Sequence, residues 1–101
     1  MREIKFRAWN NAEKKMYPEV EDIRERYEIY LMQYTGLKDK NGQEIYEGDI
    51  LKFNTKGGNE MIYEVKWRGK GFKPTRMSED NQEEIEIIGN IYENPELLSG
   101  N

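Results

Sequence analysis

The first residues alternate: Ile4, Phe6 and Ala8 fall on one side, Lys5, Arg7 and Trp9 on the other. A period of two predicts a half-buried strand. Asn10 to Lys14 reads as a turn, and Lys15 to Tyr17 as a short returning strand ended by Pro18. Over residues 19–28, Val20, Ile23 and Tyr27 have helical spacing and Glu19, Glu21 and Asp22 suit a helix start, but the apolar stripe is thin. That segment is expected to be irregular or one helical turn.

The next stretch, Glu28 to Tyr34, is rich in β formers and predicts a strand. Gly36 to Gly42 reads as a turn region with Asn41-Gly42 as a hairpin signal, because both residues tolerate positive φ. Ile45-Tyr46 predicts a short strand, Glu47-Gly48-Asp49 a turn, and Asp49 to Asn54 an alternating strand with Leu51 and Phe53 on one face. After a loop over residues 56–59, Met61, Tyr63, Val65 and Trp67 share one face of a predicted strand. Arg68 to Gly71 is a glycine turn, and Phe72 to Met77 a strand weakened by Pro74. Ser78 to Glu84 is polar enough for an exposed loop. Glu86 to Tyr92 predicts a strand whose internal Gly89 signals a bulge or close backbone approach. Asn94 and Pro95 look like the cap and first residue of a final helical turn. These elements predict a mainly β fold, a small barrel or sandwich of about six to eight short strands with one or two short helical turns.

Composition tightens this picture. A chain of 101 residues supports one core, and the whole of 1–101 reads as a single domain. Hydrophobic residues are only 36%, matched by 36% charged residues, a balance that leans toward disorder. Two features oppose that: the net charge is only -4, and 12% of the residues are aromatic, large enough to fill a core built from few side chains. The charge is uneven, with net +3 over residues 1–16, -5 over 17–50, +5 over 51–77 and -7 over 78–101. Oppositely charged segments lying side by side, or a bipolar surface meeting a charged partner, both account for it.

The chain has no cysteine and no histidine. That removes disulfides, thiolate nucleophiles, the commonest zinc ligands and the commonest general base. No carboxylate pair stands out, so the expectation is no enzyme and no cofactor. The first residues carry no signal-peptide pattern and no run approaches a membrane span, so a cytoplasmic protein with no membrane partner is expected.

Four blocks, Met1 to Trp9, Leu31 to Gly42, Glu44 to Ile50 and Ile88 to Leu98, resemble the YopX-like proteins carried by bacteriophages and prophages of Gram-positive hosts. The blocks cover roughly half of the chain in the right order. The resemblance implies a phage-encoded, largely β protein in the bacterial cytoplasm. It brings no catalytic residues, because no activity comes with it.

One constellation carries candidate chemistry. Lys66, Trp67, Arg68, Lys70, Phe72, Lys73 and Arg76 alternate cations with aromatics about a glycine turn. Cations neutralise phosphates and exposed rings stack on bases, as in small barrels that bind single strands. An ordinary hairpin with a solvated basic edge explains the same residues, and the overall acidity favours it. The acidic tract Glu79, Asp80, Glu83, Glu84 and Glu86 lacks the spacing of a calcium loop and reads as a solvated loop, or as a mask over the basic hairpin. The leading expectation is a non-enzymatic module that binds a host or phage protein. The alternative is a nucleic-acid-associated protein using residues 66–76. Self-association through an exposed strand edge is a further expectation.

Overall fold

The computed structural model describes residues 4–20, 29–54, 57–67, 69, 71–74 and 77–99. The helical turn expected across 19–28 falls almost wholly outside them. Nine strands form among the described residues: β1 (Phe6–Asn10), β2 (Lys15–Tyr17), β3 (Ile29–Lys38), β4 (Glu44–Tyr46), β5 (Asp49–Asn54), β6 (Glu60–Glu64), β7 (Lys66–Trp67), β8 (Phe72–Lys73) and β9 (Ile85–Asn90). The fold is mainly β and curls into a half-barrel. Two short 3₁₀ segments, Glu79–Glu84 and Pro95–Leu98, complete it.

The strands pair in antiparallel order β2-β1-β3-β4, β6-β5-β9 and β7-β8. β3 is the longest because it serves two neighbours. Its first half pairs with β1 from Gln33↔Phe6 to Ile29↔Asn10, and its second half with β4 at Tyr34↔Tyr46 and Lys38↔Glu44. Gly36, Leu37 and Lys38 therefore extend the strand where the composition suggested a turn. The turn itself is Asp39 to Gly42, closed by Gly42 N–H to the Asp39 carbonyl at 3.0 Å. Only Gly42 of the Asn41-Gly42 pair takes positive φ, at 79°. Its cause is the Asp39 side chain, whose Oδ1 accepts the Asn41 and Gln43 N–H groups and so sets the turn.

The same Asp39 fixes the turn to the second sheet. Its Oδ2 accepts Ile87 N–H at 3.0 Å, and Lys40 N–H reaches the Ile85 carbonyl at 2.8 Å. The outer edge of β9 is thus covered by a loop rather than left open. Where β5 meets β9, Ile50 faces Gly89 and Leu51 faces Ile87, so Ile88 is the extra residue of a bulge. A Cβ on Gly89 would lie 2.6 Å from Asn94 Oδ1, so both meanings of that glycine hold. Asn94 does precede the final 3₁₀ turn, but its side chain makes no cap bond. It accepts Asn90 N–H instead, at 3.2 Å.

Two cores result. Ile45, Leu51, Phe53, Val65, Met77 and Ile85 fill the one around β5. Trp9, Met32, Tyr34 and Tyr46 fill the one under β1, β3 and β4. The simple alternations break where both faces are covered. Trp9 is buried although it alternates with Lys5 and Arg7, because Tyr92 stacks on it at 5.7 Å. Ile50 is as buried as Leu51 and Phe53, so β5 is covered on both faces over this stretch. The run predicted from Met61 to Trp67 divides at Val65, which leaves the ladder and points into the core. The tract 79–84, expected as a loop, forms the 3₁₀ segment, with Ser78 N–H bonded to Asn81 Oδ1 at 3.0 Å.

Alanine scanning of glycines separates turn strain from close packing. At Gly42 nothing lies within 4 Å of the new Cβ, so Gly42→Ala costs only the positive-φ strain, about 1–2 kcal/mol. Gly89→Ala displaces Asn94 and breaks its bond to Asn90, and is expected to cost about 2–4 kcal/mol. Urea melts of the two variants check the order. An equal or smaller loss for Gly89→Ala would show that the Asn94 contact does not hold the C-terminal turn.

Candidate functional site

The described part of the predicted basic-aromatic site is a small ribbon. Lys66 faces Lys73 across it, and Trp67 faces Phe72. Arg68, Lys70 and Arg76 lie outside the described residues. Lys66 and Lys73 are exposed, and Lys66 Nζ lies 3.7 Å from Glu64 Oε1. The two aromatics differ from a base-stacking platform. Phe72 is half-buried against the β5 core, and Trp67 packs edge-on to it with centroids 4.9 Å apart. Phe72 is thus engaged by the core, whereas Trp67 keeps 43% of its surface exposed. Within the acidic tract, Glu86 pairs with Lys40 at 3.5 Å and Lys52 at 3.6 Å, neither of them a ribbon residue.

Trp67 also lines an open groove of about 250 Å³ that no sequence pattern indicated. Its floor is the meeting point of three segments. Gly48 N–H bonds the Val65 carbonyl, Ile91 N–H bonds the Gly48 carbonyl, and Val65 N–H bonds the Asp49 carbonyl, each at 2.9 Å. Gly48 takes φ 85°, and a Cβ there would come within 3.1 Å of Met32 Sδ, so this crossing requires glycine. Leu31, Met32, Ile91 and Tyr92 supply apolar walls beside Trp67, with Leu31 41% exposed. Glu47, Glu64 and Lys66 supply the charge.

Tyr92 is the fixed wall. Its ring is stacked between Trp9 at 5.7 Å and Tyr30 at 5.5 Å. Burial pushes its phenol above the ordinary tyrosine value, and Tyr30, Glu47 and Glu64 push it further against the smaller pull of Arg7. Glu47 is itself positioned: its Oε1 accepts Gln33 N–H at 2.9 Å while its own N–H bonds the Gln33 carbonyl at 3.0 Å. The individual signals were present in the sequence as Glu47-Gly48 and Ile91-Tyr92, but their meeting depends on pairings between distant segments.

Adjoining the Gly48 crossing along the chain is a largely buried ion pair. Asp49 Oδ1 accepts Arg7 Nη2 at 2.7 Å and its Oδ2 accepts Tyr46 N–H at 2.8 Å. Arg7 also reaches the Glu47 carbonyl at 3.3 Å and lies 4.9 Å over the Tyr46 ring. Its Nε–H is buried without an acceptor among the described residues. Burial raises the Asp49 carboxyl above the usual aspartate range, and this outweighs the lowering by Arg7 and by the Tyr46 N–H. A second hollow, of about 270 Å³, lies beside Arg7 and Glu44. Those charges are already engaged, Arg7 by Asp49 and Glu44 by Lys5. Among the described residues no group of three or more acidic side chains is arranged for a metal, and no helix is long and apolar enough to cross a membrane.

The raised Asp49 carboxyl gives a pH dependence with a definite sign. The folded state holds that proton more tightly than the unfolded chain. Its contribution is therefore fully present below the unfolded value and lost as pH rises through the folded one. Asp49→Asn removes this dependence, so wild type should exceed the variant in stability by more near pH 4 than near pH 7. Urea melts at both pH values check it. A gap that widens toward neutral pH would mean that Arg7 dominates over burial.

Comparison with known proteins agrees with this architecture. The chain resembles the crystal structure of protein EF1440 from Enterococcus faecalis, with a TM-score of 0.81 and 27% identity, covering 98% of this chain and 100% of that one. Curated proteins give no match. The family model described as YopX protein matches residues 19–99, which include the β3–β4 turn, the Gly48 crossing and both strands of the ribbon. On that match, the chain belongs to the YopX family.

Proposed function

We propose that this domain is a non-enzymatic module, encoded in a phage or prophage setting, that binds a segment of a host or phage protein in the Gly48 groove. The observation that carries the reading is the open groove itself, where Trp67 and Leu31 stay exposed beside a stack of rings that is already fixed. Exposed aromatic and aliphatic side chains on a rigid support are what protein contact sites use as anchors. The volume is below the roughly 300–1,000 Å³ of small-molecule sites. The buried carboxylates do not point to catalysis, since Asp39 is spent on backbone N–H groups and Asp49 on Arg7 and Tyr46. Self-association would use β6, the edge strand of its sheet, on which Ile62 is 48% exposed.

A second reading keeps the ribbon as a nucleic-acid contact. One observation favours it: Lys66 and Lys73 sit directly opposite each other and are exposed, so one phosphate can meet both, in competition with the Glu64 carboxylate at 3.7 Å from Lys66. Against it, Phe72 is engaged by the core and the groove beside Trp67 carries Glu47 and Glu64.

Affinity capture from host lysate with wild type, Trp67→Ala and Lys38→Ala tests the first reading. A protein retained by wild type and Lys38→Ala, and lost with Trp67→Ala, is the expected result. Fluorescence anisotropy with labelled single-stranded DNA, duplex DNA and RNA tests the second. A captured set indifferent to Trp67→Ala, or micromolar binding to nucleic acid that weakens with salt and disappears in Lys66→Glu/Lys73→Glu, would overturn the protein-binding reading.

A further inference from the structure

Resting on the protein-binding reading, we infer that the groove takes an extended segment bearing a cationic side chain two residues from an apolar one, so that both project from the same face. The cation lies between Glu47 and Glu64, and the apolar side chain two residues away rests on Leu31 and Trp67. Glu47 directly precedes Gly48 and Glu64 directly precedes Val65, and the Gly48 N–H to Val65 carbonyl bond ties these two floor residues together at 2.9 Å. Both glutamates line the groove beside this short stretch of floor. Both also raise the Tyr92 phenol, so their negative field reaches the same wall. The described charged side chains of the groove are these two carboxylates and one ammonium, Lys66, at 3.7 Å from Glu64. The balance is negative and disfavours phosphate or an acidic peptide.

The support around the carboxylates is preformed. Glu47 is held by Gln33, and Tyr92 by Trp9 and Tyr30, so a cation entering there meets groups that need little reordering. The volume of about 250 Å³ suits a long side chain and part of a second, and an extended chain presents every second side chain on one face. Lys66 competes with the incoming cation for Glu64. This gives Lys66 opposite roles in the two readings: it would strengthen contact with a phosphate and weaken contact with a basic peptide.

The test is a heteronuclear NMR titration of the full chain with two blocked pentapeptides, each with leucine at both ends and serine at the second and fourth positions, and with arginine or glutamate at the centre, so that the charged and apolar side chains share one face. The arginine peptide should shift the amides of Gly48, Val65, Trp67, Ile91 and Tyr92 and saturate, while the glutamate peptide should bind at least about tenfold more weakly. Glu64→Gln should weaken the arginine peptide about three- to fivefold. Glu47→Gln, which keeps an oxygen for Gln33 N–H, should do the same, and Lys66→Ala should tighten binding. Thermal melts establish that each variant is folded. Equal response to both peptides, shifts centred elsewhere, tighter binding after Glu64→Gln, or no response to either peptide would each overturn the inference. If neither peptide binds while a captured protein still depends on Trp67, the basic-segment inference falls and the protein-binding reading stands. If capture is also indifferent to Trp67, both fall.

Discussion

The structure depends on how the chain crosses itself at Glu47-Gly48-Asp49, and the Arg7–Asp49 pair holds that crossing. Arg7 belongs to β1 and Asp49 opens β5, so one contact of 2.7 Å joins the four-stranded sheet to the three-stranded one. Both charges are largely withdrawn from water. Taking two ions out of water is costly, and their attraction offsets this only where further hydrogen bonds complete the site. Tyr46 N–H and the Glu47 carbonyl supply those bonds, and the Tyr46 ring covers the guanidinium. Removing either partner alone would strand the other charge in the interior, a loss of about 3–5 kcal/mol. For a domain of this size that is a large part of the total stability. The pair therefore specifies which crossing forms more than it adds to stability.

Asp39 solves the corresponding problem at the other end of β3. One carboxylate makes the turn by accepting two N–H groups and covers the edge of β9 by accepting a third. The resemblance block Leu31 to Gly42 thus corresponds to a strand that changes partners and a turn that docks on the second sheet. A hairpin signal alone would explain Gly42. It would not explain why an aspartate in that turn is as buried as the aliphatic core.

What the sequence revealed follows from the range of the interactions. Local patterning located β1, β2, β4 and β5 closely, because alternation, Pro18 and the glycine turns act within a few residues. It also found the Gly89 bulge, since a glycine inside a β-rich run has few other uses. It misassigned faces wherever a distant segment covers the second side. Trp9 alternates with arginine and lysine yet is buried, because Tyr92 arrives from more than eighty residues away in the chain. Ile50 lies opposite Leu51 and Phe53 yet is equally buried, because both faces of β5 are covered in the fold. The basic ribbon was legible as a hairpin, but whether its rings were free was not. Phe72 turns into the core through contacts with distant strands, whereas Trp67 turns toward the groove. The groove itself was illegible: its floor consists of backbone bonds among residues 48, 65 and 91, and backbone bonds leave no trace in composition.

The aromatic content connects the two halves of this account. With few aliphatic residues available, the core under β1 and β3 is built from ring contacts: Trp9 stacks on Tyr92, Tyr92 stacks on Tyr30, and Tyr34 lies tilted against Tyr46. Each such pair adds about 0.5–1.5 kcal/mol beyond the area it buries. Rings also reach further than aliphatic side chains, so a stack that begins in the interior at Trp9 ends at the surface at Tyr30. The wall of the groove is the outer end of the core, and it inherits the rigidity of the core. A partner of the kind proposed would not have to order the wall, and the affinity otherwise lost to ordering would be retained. A sequence poor in aliphatic residues and rich in tyrosine therefore stabilises its fold in a way that also leaves a firm aromatic surface exposed.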